Sequence, residues 1–244
     1  MAARWIQRRW NGVRKVLAGL RPFGESVWPG VANDLFVAHL SIYRFFAGFC
    51  GGKAVVDAGC GTGYGSSLLL AAGAASVLGF DIDARSVRYA RRHYRHEGLS
   101  FEVRDAEDPR LAPASADVIV TSNTLEHLTR PAAFLTAARE ALRPDGLLLA
   151  AVPPIVTAAD AVGQRAVHYH RSNLTVREWW RQIAGCGFAV ALYRHDFFPF
   201  ERLDFASPWP STLTPEEFRF EAASLEAVER AGPLTVIFAA RPGR

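Results

Sequence analysis

In the stretch Lys53-Ala-Val-Val-Asp-Ala-Gly-Cys-Gly-Thr-Gly-Tyr-Gly65 a short β-branched strand runs straight into a glycine-rich turn and then a helix. Val55 and Val56 supply the strand core. Gly59, Gly61 and Gly63 suit a turn with φ > 0, in which backbone N–H groups come close to a ligand. A helix entering from such a turn aims its positive dipole end at that ligand. A second strand-like run, Ala75-Ser-Val-Leu-Gly-Phe-Asp81, ends in an acid, where a carboxylate accepts hydrogen bonds from a ribose diol. Together the two runs predict an α/β chain that binds a nucleoside-containing cofactor.

The flanking residues say which cofactor. Nicotinamide-binding domains space their glycines Gly-x-Gly-x-x-Gly so that a pyrophosphate can approach. Here the spacing is Gly-x-Gly-x-Gly, and Asp57 stands just before it. A fixed negative charge is awkward beside a pyrophosphate and useful beside an ammonium or sulfonium cation. On these residues the chain resembles the class I S-adenosylmethionine-dependent methyltransferases of the small-molecule type, whose first motif has the form Val-Leu-Asp-hydrophobic-Gly-Cys-Gly-x-Gly. The resemblance runs from about Lys53 to Pro153. Its further landmarks are Gly79-Phe-Asp-Ile-Asp83, Val103-Arg-Asp-Ala-Glu107, Ala116-Asp-Val-Ile-Val-Thr-Ser-Asn-Thr-Leu-Glu-His-Leu128 and Leu142-Arg-Pro-Asp-Gly-Leu-Leu-Leu149.

The resemblance implies a Rossmann-like, doubly wound, mostly parallel seven-stranded sheet with an antiparallel last strand. Phe188–Tyr193 and Leu234–Ala240 would supply the antiparallel pair. It implies S-adenosyl-L-methionine as cofactor, lying beyond the carboxyl ends of the strands. Gly59, Gly61 and Gly63 would line its methionine and ribose side, with Asp57 either ordering the turn or meeting the ammonium group. Asp81 would accept from the ribose diol and Ile82 pack on the adenine. Asp105 would accept from the adenine amino group, and Ala106 would offer a backbone N–H to the ring. Asp83 reads as a helix cap, and Glu107 and Asp108 as solvated acids. Asn123 and Thr124 would sit near the methionine portion. Asn123 with Glu126 is also a helix-start pattern, which makes Glu126 structural. His127 reads as a base, a substrate contact or a structural histidine.

Related small-molecule enzymes carry a histidine in the segment matching Val167-His-Tyr-His170, and His168 and His170 are equal candidates there. A surface loop is the alternative. Tyr43 and Arg44 fall where relatives have an Arg-Tyr pair closing over the cofactor, but here the order is Ile42, Tyr43, Arg44.

Composition bounds the rest. A chain of 244 residues, 50 % of them hydrophobic, can bury one sizeable core. No run is long and apolar enough for a membrane span. The 3 cysteines lack metal-ligand spacing, so no metal centre is expected and a reducing cytoplasm fits. A net charge of +4 gives no warrant for a nucleic-acid partner. Between residues 4 and 21, Ile6, Trp10, Val13, Leu17 and Leu20 form an apolar stripe among Arg4, Arg8, Arg9, Arg14, Lys15 and Arg21. That pattern predicts either a helix on the inner face of the membrane or one that caps the core.

Residues 1–30 thus read as extension and linker, and 31–244 as one domain with insertions at about 153–180 and 197–232. Those insertions are rich in Trp, Phe, Tyr and Pro. They suit methyl transfer to a hydroxyl of a small, sugar-like or lipid-linked acceptor. The competing readings are an NAD(P)-dependent oxidoreductase and a non-catalytic S-adenosylmethionine-binding partner protein. The oligomeric state is left open.

Overall fold

The computed structural model describes residues 27–243 apart from 31, 166, 206 and 208. The basic stripe between residues 4 and 21 lies outside the described residues. In chain order the elements are α1 (Asp34–Ala47), β1 (Ala54–Ala58), α2 (Tyr64–Ala71), β2 (Ser76–Asp81), α3 (Ala84–His93), β3 (Leu99–Val103) and β4 (Ala116–Ser122). Then follow α4 (Pro131–Ala141), β5 (Leu142–Val152), α5 (Ala158–Arg165), α6 (Val176–Gly185), β6 (Phe188–Asp196), β7 (Arg219–Ala223), α7 (Leu225–Ala231) and β8 (Thr235–Pro242). No helix among the described residues is long and apolar enough to cross a membrane.

The sheet order is β3-β2-β1-β4-β5-β8-β6-β7. Strands β1 to β5 pair in parallel, whereas β8 runs antiparallel between β5 and β6. Strand order therefore reverses between β1 and β4, and the crevice above that point is where an open α/β sheet places its ligand.

Alternation along the central strands divides the core into its two layers. Val118 and Val120 of β4 join Val55, Val77 and Phe46 on one face. Ile119 joins Leu148, Phe134 and Trp179 on the other. Strands covered on both faces read as unbroken apolar runs, which is why β4 and β5 were visible in the sequence.

One departure from expectation has its cause in tertiary packing. The sheet has eight strands, not seven: β7 falls inside the insertion expected at about 197–232. The Thr214 capping box forms with both arms, but it closes only the 3-10 turn Pro215–Glu217. The chain then extends because Phe220 stacks between Phe45 (4.5 Å) and His195 (4.7 Å). Helix α7 starts later, from a Ser224 cap. Arg143-Pro-Asp-Gly146 is an outward excursion within β5, since Leu142 pairs with Ala116 and Leu147 with Val118.

Candidate active site

The turn after β1 is built by its glycines. Gly59 has φ 75°, and a Cβ there would stand 2.2 Å from Thr124 Oγ1 on the loop after β4. Gly63 has φ 83°, and its Cβ would meet Ala90 of α3 at 2.6 Å and the Phe101 ring at 2.8 Å. The first glycine therefore lets the switch-point loops approach each other, and the last lets helix and sheet pack. Between them the Gly61 N–H donates to Asp81 Oδ2 (2.8 Å), while Asp83 N–H donates to Oδ1 (2.9 Å). The Asp81 carboxylate is thus aimed before any ligand arrives. Burial pushes its carboxyl up, and these amides pull it back down.

A cavity of about 1070 Å³ opens above this turn, lined among others by Gly59, Gly61, Asp81, Ile82, Asp105 and Ala106. That volume takes a nucleoside and a second molecule. Ile82 is 69 % exposed, an apolar side chain presented at the cavity wall. Asp105 accepts from Glu107 N through Oδ1 (2.8 Å), which fixes its carboxylate beside Ala106. These features fit an adenosine moiety: an oriented carboxylate for the diol, an apolar platform for the ring and an acid for its amino group. Glu107, expected to be merely solvated, instead accepts from Thr129 N, Arg130 N and Arg130 Nε. It ties the loop after β3 to the loop after β4, and those donors hold its carboxyl low.

Gly63 does not line the cavity, and neither does Asp57, which was read as either ordering the turn or meeting the ammonium group. Asp57 is fully buried and accepts from Tyr43 Oη (3.1 Å) and Ser66 Oγ (2.6 Å). It therefore locks α1 and α2 onto β1. Tyr43 reaches the cavity wall, but Arg44 points away and forms an ion pair with Glu216. Burial raises the Asp57 carboxyl to about 7, against the lowering pull of Ser66 and Tyr43.

A pH dependence follows from that raised value. Between about pH 4 and pH 7 the folded chain holds a proton that the unfolded chain has released, so this group's stabilisation is present below pH 4 and lost as pH rises through 7. Asp57→Asn should flatten that slope. Calorimetric melting at pH 5 and pH 8 should show a larger loss for the wild type than for the variant. Parallel losses would contradict the assignment.

The far side of the crevice is formed after β4. Asn123 adopts φ 50°, a left-handed position asparagine tolerates, and its N–H donates to Ala151 O (2.9 Å). The expected Asn123–Glu126 helix start is not what forms. The turn Leu125–His127 is 3-10, with Thr124 at its N-cap and no side-chain cap bond. Glu126, 3 % exposed, lines the cavity together with His127 and His170.

The structure separates the two histidine candidates. His170 is 8 % exposed and its ring centroid lies 5.0 Å from that of His127. His168 is exposed, packs edge-on against Tyr169 and does not line the cavity. Burial of Val167 and His170 sets this phase of the loop, a tertiary preference that spacing alone does not reveal. The loop is stapled down: Arg171 N and Ser172 N both donate to Glu126 O, and Ser172 Oγ donates to Leu128 O. Ligand atoms of Glu126, His127 and His170 all lie within 4.8 Å of one another.

Apolar side chains also line the cavity, among them Leu35, Val156, Phe200, Phe205 and Leu234, and so does His195. His195 is packed against Phe218 and Phe220, and its Nε2 lies 2.9 Å from Ser41 Oγ. Burial drops its pKa to about 3, so it is a neutral group in this wall.

Comparison with known proteins agrees with this geometry. Residues 56–150 match the family described as Methyltransferase domain. The chain is 34 % identical over 174 residues to a protein of Mycolicibacterium smegmatis named probable S-adenosylmethionine-dependent methyltransferase, covering 68 % of this chain and 65 % of that one. It is 38 % identical over 100 residues to a ubiquinone biosynthesis O-methyltransferase of Cereibacter sphaeroides, covering 40 % of each. The chain therefore spans less than two thirds of the length of these relatives. In fold it is similar to the crystal structure of an S-adenosylmethionine-dependent methyltransferase from Mesorhizobium loti, with TM-score 0.62 and 21 % identity, covering 84 % of this chain and 97 % of that one.

Proposed function

We infer that the chain, a member of the class I S-adenosylmethionine-dependent methyltransferases, transfers a methyl group to a hydroxyl of a small, sugar-like or lipid-linked acceptor. One observation carries the inference. The nucleoside-binding wall at Asp81 and Ile82 and the histidine-bearing wall at His127 and His170 face a single continuous cavity.

S-adenosylmethionine supplies a methyl carbon already activated by its sulfonium sulfur. The protein's task is then placement, and orientation supplies much of the rate. Asp81, Ile82 and Asp105 would hold the nucleoside end. The turn at Gly59 and Gly61 and the loop at Asn123 would carry the methionine end. The acceptor's hydroxyl would lie against Glu126, His127 and His170. There its proton departs as the oxygen lone pair forms the new C–O bond and the old C–S pair stays with sulfur. A hydroxyl needs such help with its proton, and imidazoles supply it near neutral pH. Phe200 and Phe205 in the cavity lining suit an apolar or ring-shaped remainder.

Calorimetry with S-adenosylmethionine and with NAD separates this reading from a nicotinamide oxidoreductase. Binding of the first and none of the second is expected, and tight NAD binding alone would end it. Methyl-labelled donor should then mark hydroxylated ring compounds and leave the matching amines unmarked. Label on the amines only would overturn the choice of oxygen. Bound donor with no turnover on any acceptor would favour the non-catalytic partner instead.

A further inference from the structure

We propose that Glu126, His127 and His170 form a site for a divalent first-row transition-metal ion, open towards the acceptor half of the cavity. The donor set is a carboxylate and two imidazoles, the combination that suits zinc, iron and manganese ions with coordination positions to spare. All three side chains line the cavity, and their ligand atoms lie within 4.8 Å of one another. On a tetrahedral ion with bonds of about 2.0–2.2 Å, donor atoms stand roughly 3.3–3.6 Å apart. Side-chain torsions alone can close that difference.

Two further features of the site belong to metal centres. His127 Nδ1 lies 3.2 Å from the Tyr169 carbonyl, where an Nδ1–H would donate to that oxygen and leave Nε2 as the nitrogen that ligates. An N–H anchored on a carbonyl is the usual means by which a ligating imidazole is oriented and its tautomer fixed. The two ligand-bearing segments are also joined by backbone bonds, Arg171 N and Ser172 N to Glu126 O at 2.8 and 2.9 Å. Asn173 Nδ2 holds the His170 carbonyl at 3.3 Å. The third ligand therefore stays beside the first two without help from an ion.

The open face of the ion would take acceptor oxygens. The ligand class that fits best is a hydroxyl with a second oxygen on the adjacent carbon, such as a vicinal diol, a catechol or a hydroxy-carbonyl. An oxygen held by a cation loses its proton more readily. Without the ion the imidazoles would take the proton directly, as above; with it bound they act through the metal, and the proton passes to cavity water. The catalytic use of the ion rests on the methyl-transfer reading above; the binding of metal does not.

The test is therefore a binding experiment. Chelator-treated full-length protein is titrated with Zn²⁺ by calorimetry, alongside Glu126→Gln, His170→Asn and His168→Ala. One ion per chain is expected for the wild type and for His168→Ala. The two ligand variants should bind more weakly by over about 100-fold, beyond the 10–100-fold that loss of an outer-shell partner costs. Zn²⁺ should raise the melting temperature of the wild type and not that of the ligand variants. S-adenosylmethionine affinity, measured on the same samples, reports that the variants are folded. Absence of a stoichiometric site in the wild type, or a site surviving both ligand variants, overturns the proposal. Failure of S-adenosylmethionine to bind would overturn the functional reading and leave the metal result standing.

Discussion

Replacing Asp81 with alanine should weaken S-adenosylmethionine binding by about 100-fold or more, the largest loss expected of any single change in the donor half of the cavity. A carboxylate accepting from both ribose hydroxyls makes two charge-assisted bonds, each contributing about 1.5–3 kcal/mol. Together they exceed the roughly 2.7 kcal/mol that separates a hundredfold in affinity. The same carboxylate also accepts from Gly61 N and Asp83 N, so alanine would free the turn proposed to carry the methionine end. Asp81→Asn separates the two effects. Its amide oxygen can still accept from one of these backbone donors, while its NH₂ offers nothing to a hydroxyl's proton. An intermediate loss for asparagine, with an unchanged melting temperature, is the expected calorimetric result. Unchanged affinity in the alanine variant would remove the ribose assignment and, with it, the donor's orientation in the crevice.

How far these features could be read beforehand depended on whether local chemistry or distant contacts fixed them. The turn after β1, Asp81 and the run of parallel strands are local: glycine phase and β-branched runs determine them without reference to the rest of the chain. Thr175 with Glu178 three residues on is an equally local pattern, and both arms of the resulting capping box form. Asp57 was legible as important but not in its role, because its partners Tyr43 and Ser66 come from helices on either side of β1. Glu107 was overlooked since the amides it holds follow β4, far along the chain. Strand β7 was hidden for the same reason, its extension being imposed by Phe45 and His195 stacking on Phe220. The Glu126–His127 dipeptide did carry a signal, adjacent ligand types opening a loop after a central strand. Only folding supplied the third member and chose His170 over His168.

Gly63→Ala should destabilise the fold by about 2–5 kcal/mol without touching the cavity. Gly63 sits at φ 83° as the N-cap of α2, a left-handed position that costs a residue with Cβ about 1–2 kcal/mol. The new methyl would stand 2.6 Å from Ala90 Cβ and 2.8 Å from Phe101 Cε1, overpacking that costs typically about 1–3 kcal/mol. At roughly 2–4 °C per kcal/mol for a chain of this size, the melting temperature should fall by on the order of 10 °C. Phe101→Leu removes part of the ring and should rescue the ring's part of the steric share, but neither the Ala90 contact nor the backbone share. A double-mutant cycle should therefore return a favourable coupling of about 1 kcal/mol, with the remainder unrescued. Gly59→Ala provides the contrast. Its Cβ would collide with Thr124 in the cavity wall, so donor affinity should fall along with stability. If Gly63→Ala weakened S-adenosylmethionine binding as much as Gly59→Ala while melting like the wild type, the division of labour between the two glycines would be wrong. The donor would then lie closer to the start of α2 than Asp81 and Ile82 place it.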